Sequence, residues 1–92
     1  MEIVWSETAI ETFFKVIDYL TEHWTEKQVV NFDISVEKLL QRLASHQHIC
    51  PESKIFGYRK CVIDQYNSLV YYTSNNKIFL VTFLDNRSLH DY

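Results

Sequence analysis

The chain has 92 residues, of which 47% are hydrophobic, 15% are aromatic and 23% are charged, with one Gly and one Pro. This composition excludes collagen-like, low-complexity and linker-rich chains, and the length predicts one globular domain over residues 1–92. The net charge of −3 lacks the basic excess that is typical of proteins that bind nucleic-acid phosphates.

The sequence carries no pattern of a secretory signal or a membrane span. No basic stretch followed by an apolar one opens the chain, and its apolar runs are far shorter than the roughly 20 residues that cross a bilayer. Cys50 and Cys61 lie outside any CxxC spacing, which argues against a thiolate zinc site. We therefore expect a soluble, cytoplasmic protein with both cysteines reduced and Cys61 buried in a strand.

The first elements in chain order are a short strand and a helix. Ile3 and Trp5 alternate with their neighbours, which favours a strand, and Ser6 is typical of a helix N-cap. The helix is predicted to continue to about Trp24. Its apolar residues recur at helical spacing and predict a buried stripe: Ile10, Phe13, Phe14, Ile17, Leu20 and Trp24.

A second helix follows after almost no linker. Thr25 and Gln28 have the spacing of a capping box, in which each side chain satisfies a backbone N–H group at the start of a helix. A second apolar stripe comes after them: Val29, Phe32, Val36, Leu39, Leu40 and Leu43. The short connection predicts an antiparallel helical hairpin that buries both stripes.

The second half of the chain is predicted to form strands. Residues 45–57 have no helical period and form the connection. Tyr58–Ile63, Leu69–Thr73 and Ile78–Leu84 are rich in aromatic and β-branched residues and predict a meander, with the last strand in the centre because both its faces are apolar. The predicted fold is α+β in the order β-α-α-β-β-β, a helical hairpin packed on an antiparallel β-sheet.

This order, together with the local sequence, resembles the RelE/ParE superfamily of type II toxins, also called plasmid-stabilisation toxins. The resemblance covers nearly the whole chain and depends on the succession of short matching segments. These segments are Val4–Ala9, Ile17–Leu20, Leu39–Leu43, Tyr58–Lys60, Leu69–Tyr72 and Asp85–Arg87.

The resemblance implies a toxin that a cognate antitoxin neutralises, as a homodimer or a hetero-oligomer with that antitoxin. Some members of the superfamily are ribosome-dependent endoribonucleases that cut mRNA, whereas the ParE branch poisons DNA gyrase. The fold alone does not choose between these targets. A decayed toxin that acts only as a binding module is a third alternative.

Cleavage of RNA needs a base, a cation for the phosphate and an acid for the leaving group. Arg87 matches the superfamily's Arg after the last strand, and His90 and Tyr92 follow where ribonuclease members keep an acid, so these three are the candidate catalytic residues. Ribonuclease members also carry an Arg directly before the Leu-Val-Tyr segment, and this chain has Ser68 there. The missing cation favours the ParE branch, which acts by binding and not by catalysis.

The same candidate residues have simpler structural interpretations. Arg87 could pair with Asp85 or Asp91 on the surface, and His90 and Tyr92 could belong to a solvated terminal segment.

Arg59 and Lys60 are predicted to point to opposite faces of their strand. They are candidate contacts with the target or the antitoxin, or else residues of a solvated edge.

The remaining motifs favour structural roles. His46 and His48 have no third ligand nearby, so no metal site and no cofactor are predicted. Tyr71 and Tyr72 could stack bases, but their position in a strand favours core packing for one of them.

Overall fold

The computed structural model describes residues 1–92. Its elements follow the predicted order: β1 (Glu2–Trp5), α1 (Glu7–His23), α2 (Glu26–Ser45), β2 (Arg59–Val62), β3 (Asn67–Ser74) and β4 (Lys77–Asp85). Two helices pack on a four-stranded sheet with strand order β1-β4-β3-β2, which confirms the predicted fold class and the central place of the last strand.

Both helices begin at the predicted caps. The Ser6 hydroxyl oxygen accepts a hydrogen bond from the Ala9 amide at 3.0 Å. Thr25 and Gln28 form the complete capping box at the start of α2. Each cap satisfies amide groups that have no partner inside the helix, so local sequence alone fixes where the helices start. Neither helix combines the length and the apolar character that crossing a lipid bilayer requires.

The sheet is mixed and not wholly antiparallel. Strands β2, β3 and β4 form the predicted antiparallel meander, but β1 pairs with β4 in parallel, with Ile3 opposite Ile78. The expectation of an antiparallel sheet is therefore wrong for its first strand. The physical reason is that the helical hairpin and then β2 and β3 separate the two strands, a connection long enough to bring β4 alongside β1 in the parallel direction.

A bulge in β4 connects the sheet to α1. The pairing passes from Val70–Thr82 to Tyr71–Leu80, which leaves Val81 without an opposite residue. The carbonyl of Val81 instead accepts a hydrogen bond from the Ser6 hydroxyl at 3.0 Å. The Val81 carbonyl at the bulge thus finds its hydrogen-bond donor in the same side chain that caps α1.

The core lies between the helices and one face of the sheet. An aromatic group at its centre joins β1, both helices and β4, with ring centroids of Trp5 and Phe83 5.7 Å apart and those of Phe13 and Phe32 5.8 Å apart. Such contacts add to the stabilisation from burial itself. The buried residues of this core are Ala9, Phe32, Val36, Leu39, Leu43, Cys50, Cys61, Leu69, Tyr71, Ile78, Leu80 and Phe83.

The apolar stripe of α1 is only partly covered, contrary to the prediction. Ala9, outside the stripe, is the one fully buried residue of α1, while Phe14 is 55% exposed and Trp24 is 47% exposed. Ile10 is also exposed. The stripe is wider than the surface of α2 and β4 that packs against it, so the residues along its edge remain exposed to solvent.

The two cysteines form a disulfide bond, which overturns the expectation that both are reduced. Cys50 precedes β2 and Cys61 lies within it, with Cα atoms 5.1 Å apart. Cys61 is buried, as predicted. The hairpin-like turn of residues 51–58 brings the two residues together, and the spacing along the chain carries no motif that reveals this pairing.

Candidate functional site

The sheet has two faces with different surroundings. On β3, Leu69 and Tyr71 belong to the core beneath the helices, and because strand residues alternate, Val70 and Tyr72 lie on the other face. We call these the helix-covered face and the open face. Val70 is nevertheless fully buried. The side chain of Asn86, just after β4, reaches the neighbouring Ser68, with 2.5 Å between Oδ1 and the hydroxyl.

A cleft of about 720 Å³ opens between the helical hairpin and the end of the sheet. Its walls come from α1, the first turns of α2, the turn between β2 and β3, and the end of β4. Three aromatic side chains, Tyr19, Trp24 and Tyr66, line it and are each more than one-third exposed. A concave surface with exposed aromatic rings is typical of a binding site for another molecule.

Arg87 lies at the rim of this cleft. Its guanidinium donates two hydrogen bonds to the Asp85 carboxylate, at 3.0 and 2.9 Å, and its Cζ lies 4.8 Å from the centre of the Tyr66 ring. The pairing with Asp85 is one of the simpler interpretations that the sequence allowed for Arg87. A planar cation stacked on a ring and bound by a carboxylate has a fixed orientation even at the surface.

The ion pair shifts the acid–base equilibrium of both partners. The side chain and the backbone amide of Arg87 both donate to Asp85, and they lower the pKa of that carboxyl. The pKa of Arg87 is raised, chiefly by Asp85 and to a smaller degree by Tyr19. Arg87 therefore carries its charge at every accessible pH, and Asp85 offsets it until the solution is acidic.

The open face carries a second group of side chains, which we call the open-face cluster: Tyr58, Lys60, Tyr72, Phe79, His90 and Tyr92. Four of its rings form a stack across the sheet, with centroid distances of 6.3 Å for Tyr92–Tyr58, 5.6 Å for Tyr58–Tyr72 and 5.0 Å for Tyr72–Phe79. The Lys54 amide also donates to the Tyr92 carbonyl at 3.1 Å. The end of the segment after β4 is thus packed on the open-face cluster and on the connection before β2, while Leu89 within it is fully exposed.

Lys60 and His90 are the two ionisable nitrogen-bearing side chains of the open-face cluster, and they are in contact. The Lys60 Nζ lies 3.4 Å from His90 Nε2, and His90 Nδ1 is buried without a partner. An ammonium beside an imidazole can hold a phosphate oxygen and exchange a proton near it. The structure therefore brings together Lys60, His90 and Tyr92, while Arg87 lies at the cleft in a different environment.

Arg59 projects to the face opposite Lys60, as predicted from strand alternation. Its Nη1 donates to the Cys50 carbonyl at 2.7 Å, and Arg59 pairs across the sheet with Tyr71. The Tyr71 hydroxyl donates to the Gln47 carbonyl at 2.6 Å, and burial raises the pKa of that hydroxyl while Arg59 opposes the rise. Both side chains fasten the connection between the helices and β2.

Sequence reasoning missed the cleft. Tyr66 lies between two predicted strands and helical periodicity predicts a buried Trp24, so the sequence identifies neither as a site residue. The usable signal was an aromatic residue inside a polar turn, since buried strands, and not turns, are the ordinary place for such rings. No group of three His, Cys, Asp or Glu side chains in residues 1–92 is arranged to hold a metal ion.

Comparison with known proteins identifies the class to which this fold belongs. The family model described as "ParE toxin of type II toxin-antitoxin system, parDE" matches residues 3–89. The match spans nearly the whole chain, so the chain belongs to this family of toxins. No curated protein sequence matches it significantly.

Solved structures of toxins share the fold at low sequence identity. A chain of a chromosomal ParDE system from P. aeruginosa matches at a TM-score of 0.78 and 12% identity, covering 92% of this chain and 95% of that chain. A copper-bound mutant toxin from Helicobacter pylori matches at 0.71 and 16%, covering 98% and 99%. A chain of a YoeB–YefM complex from Staphylococcus aureus matches at 0.63 and 19%, covering 91% and 94%.

Proposed function

We propose that this chain is a cytoplasmic growth-inhibiting toxin that acts by binding a macromolecular target such as DNA gyrase, and that a cognate antitoxin neutralises it by occupying the cleft. The observation that carries the proposal is the cleft with its exposed aromatic rings, in a chain of the ParE toxin family. Solved relatives described as ParDE and YoeB–YefM assemblies support an antitoxin as the partner.

The cleft fits a segment of a protein better than a small polar ligand. Its rim combines the aromatic surface of Tyr19, Trp24 and Tyr66 with the amide groups of Gln28 and Asn31. Aromatic anchors surrounded by polar groups are typical of protein–protein interfaces, in which a few such residues contribute most of the affinity. A helix or an extended segment of the antitoxin can insert apolar side chains there.

Growth of bacteria that express the chain tests the proposal. Induction of the chain alone is expected to arrest growth, and joint induction with the product of the neighbouring gene is expected to restore it. A supercoiling assay with purified gyrase then tests the target. Unimpaired growth in the presence of intact, folded protein would contradict a toxic activity and would favour a module that only binds a partner.

Binding measurements with paired variants test the place of the antitoxin. Trp24→Ala is expected to weaken antitoxin binding by about tenfold or more, because an exposed interface Trp is a frequent hot spot. The matched control is Phe56→Ala, which removes a fully exposed ring outside the cleft. Equal affinities for the two variants would place the antitoxin elsewhere on the toxin.

A ribosome-dependent endoribonuclease is the second candidate function, and the open-face cluster favours it. Lys60 can bind the scissile phosphate and His90 can transfer a proton, with Tyr92 beside them. The position of Arg87 argues against its predicted part in this chemistry, since its guanidinium is engaged by Asp85 at the cleft.

A translation assay with ribosomes and mRNA separates the two functions. A catalytic open-face cluster predicts mRNA cuts that His90→Gln reduces by about 10²-fold or more. Arg87→Ala is expected to leave any cuts in place. Growth arrest without mRNA cuts would exclude the ribonuclease and retain the binding toxin.

A further inference from the structure

The disulfide bond closes a segment that carries two residues of the open-face cluster, Tyr58 and Lys60. Within residues 50–61, the Lys60 amide donates to the Pro51 carbonyl at 3.0 Å, and the Ser53 amide donates to the Tyr58 carbonyl at 2.8 Å. The segment is therefore a small hairpin whose two ends are joined by the Cys50–Cys61 bond. Tyr58 and Lys60 lie on it, and its Lys54 amide binds the Tyr92 carbonyl.

Apart from its buried cysteines, the segment is held to the rest of the fold mainly by β2 and by the contacts of Tyr58, Lys60 and Lys54 in and around the open-face cluster. Strand β2 has four residues and pairs with β3 on one side, while its other side meets only its own segment, through the Glu52–Arg59 bridge. On the helix-covered side, Arg59 is bonded to the Cys50 carbonyl, inside the same segment. A short edge strand opens more readily than a central one, so a covalent closure has a large effect on its order.

We propose that the Cys50–Cys61 disulfide is a redox-sensitive clamp: the oxidised form holds Tyr58 and Lys60 in the open-face cluster, and reduction by a dithiol releases the segment. The bond joins the segment's two ends, and both cysteines lie in the core, so reduction leaves the edge strand β2 and the residue that opens the segment without a covalent link. The clamp is a property of the fold and does not depend on whether the chain is toxic. Its reduction in the cell does depend on the proposed cytoplasmic location, because cellular dithiols are present there.

The reduction step transfers two electrons and two protons from the dithiol to the protein. A thiolate of the dithiol attacks Sγ of Cys50, which is 8% exposed whereas Cys61 is 2% exposed. The protein S–S bond breaks, and Cys61 leaves as a thiolate and takes up a proton. The second sulfur of the dithiol then attacks the mixed disulfide, which releases Cys50 as a thiol and leaves the reagent as its own disulfide.

Hydrogen exchange measured on the full chain tests the clamp. One sample is purified without reductant, and the other is treated with dithiothreitol and then alkylated with iodoacetamide. We expect amide exchange in residues 58–62, and at the Lys54 amide, to accelerate at least tenfold in the reduced sample, while residues 78–84 of the central strand stay unchanged. A sample treated with iodoacetamide alone is the control for the reagent.

A cysteine-free variant makes the result specific. Cys50→Ala with Cys61→Ala is expected to exchange like the reduced protein and to show no response to dithiothreitol. If this variant does not fold, the two wild-type samples still decide. Equal exchange in the oxidised and reduced protein overturns the proposal, as does a count of two free thiols in protein purified without reductant.

Discussion

Tyr71 and Tyr72 are neighbours in β3, yet they lie on opposite faces of the sheet and are held by different forces. Tyr71 is fully buried under the helices, and its hydroxyl binds the Gln47 carbonyl. Tyr72 is half-buried on the open face, where its ring stacks between Tyr58 and Phe79 and its hydroxyl has no partner in the protein. Burial and a hydrogen bond therefore hold Tyr71, while stacking between neighbouring rings holds Tyr72.

Removal of one ring from each face gives the largest expected contrast. Phe83→Ala leaves a cavity in the aromatic group of the core and is expected to lower the free energy of unfolding by about 3–5 kcal/mol. Phe79→Ala removes a half-buried ring from the open face and is expected to cost about half as much. Chemical denaturation measures both, and equal losses would contradict the difference between the faces.

Removal of one hydroxyl group from each face gives a smaller contrast. Tyr71→Phe leaves the part-buried Gln47 carbonyl without this donor and is expected to cost about 1–2 kcal/mol. Because the pKa of the Tyr71 hydroxyl is raised, its hydrogen bond to Gln47 contributes fully to stability below the unfolded-state pKa of about 10. That contribution is lost as the pH rises through the folded-state pKa. Tyr72→Phe is the matched control, with an expected change within about 0.5 kcal/mol. Indistinguishable unfolding curves for the two variants would contradict the prediction.

The smallest expected effect concerns the ion pair at the rim of the cleft. The Asp85 carboxyl is expected to titrate below its ordinary pKa of 3.8, and Arg87→Gln is expected to return the midpoint towards that value. The linked stabilisation is present above the unfolded-state pKa and disappears as the pH falls through the folded-state value. NMR titration of the carboxyl measures the shift.

Lys77→Gln serves as the control for this titration. It breaks the exposed Lys77–Glu2 pair, which has a 3.8 Å separation, at the other end of β4. The Asp85 midpoint is expected to stay depressed in that variant. An equal shift in both variants would mean that general surface charge, and not the contact with Arg87, sets the pKa.

The sequence predicts well what local chemistry decides. Ser6 and Thr25 start their helices because each cap acts within three residues of itself. The order of the elements and the central position of β4 also follow from the apolar pattern. The parallel pairing of β1 cannot be predicted from local sequence, because its partner strand lies more than seventy residues away and no local feature indicates the direction of the pairing.

The candidate site was harder to predict for a related reason. Arg87 and His90 are separated by two residues, so the sequence suggests one site, but the turn after β4 directs Arg87 towards Tyr66 and carries His90 to Lys60. Periodicity likewise predicts that Trp24 is in the core, although its ring lines the cleft. Side-chain direction and contacts across the fold decide both cases.

The position of β4 also constrains how the chain is made. It is the last strand in the sequence, yet β1 pairs with no other strand, and β3 depends on it along one edge. During synthesis the helices and the β2–β3 hairpin can form early, while β1 joins the sheet only after β4 has been made. A product that stops before β4 therefore lacks both the cleft wall at Asp85 and the Phe79 ring of the open-face cluster.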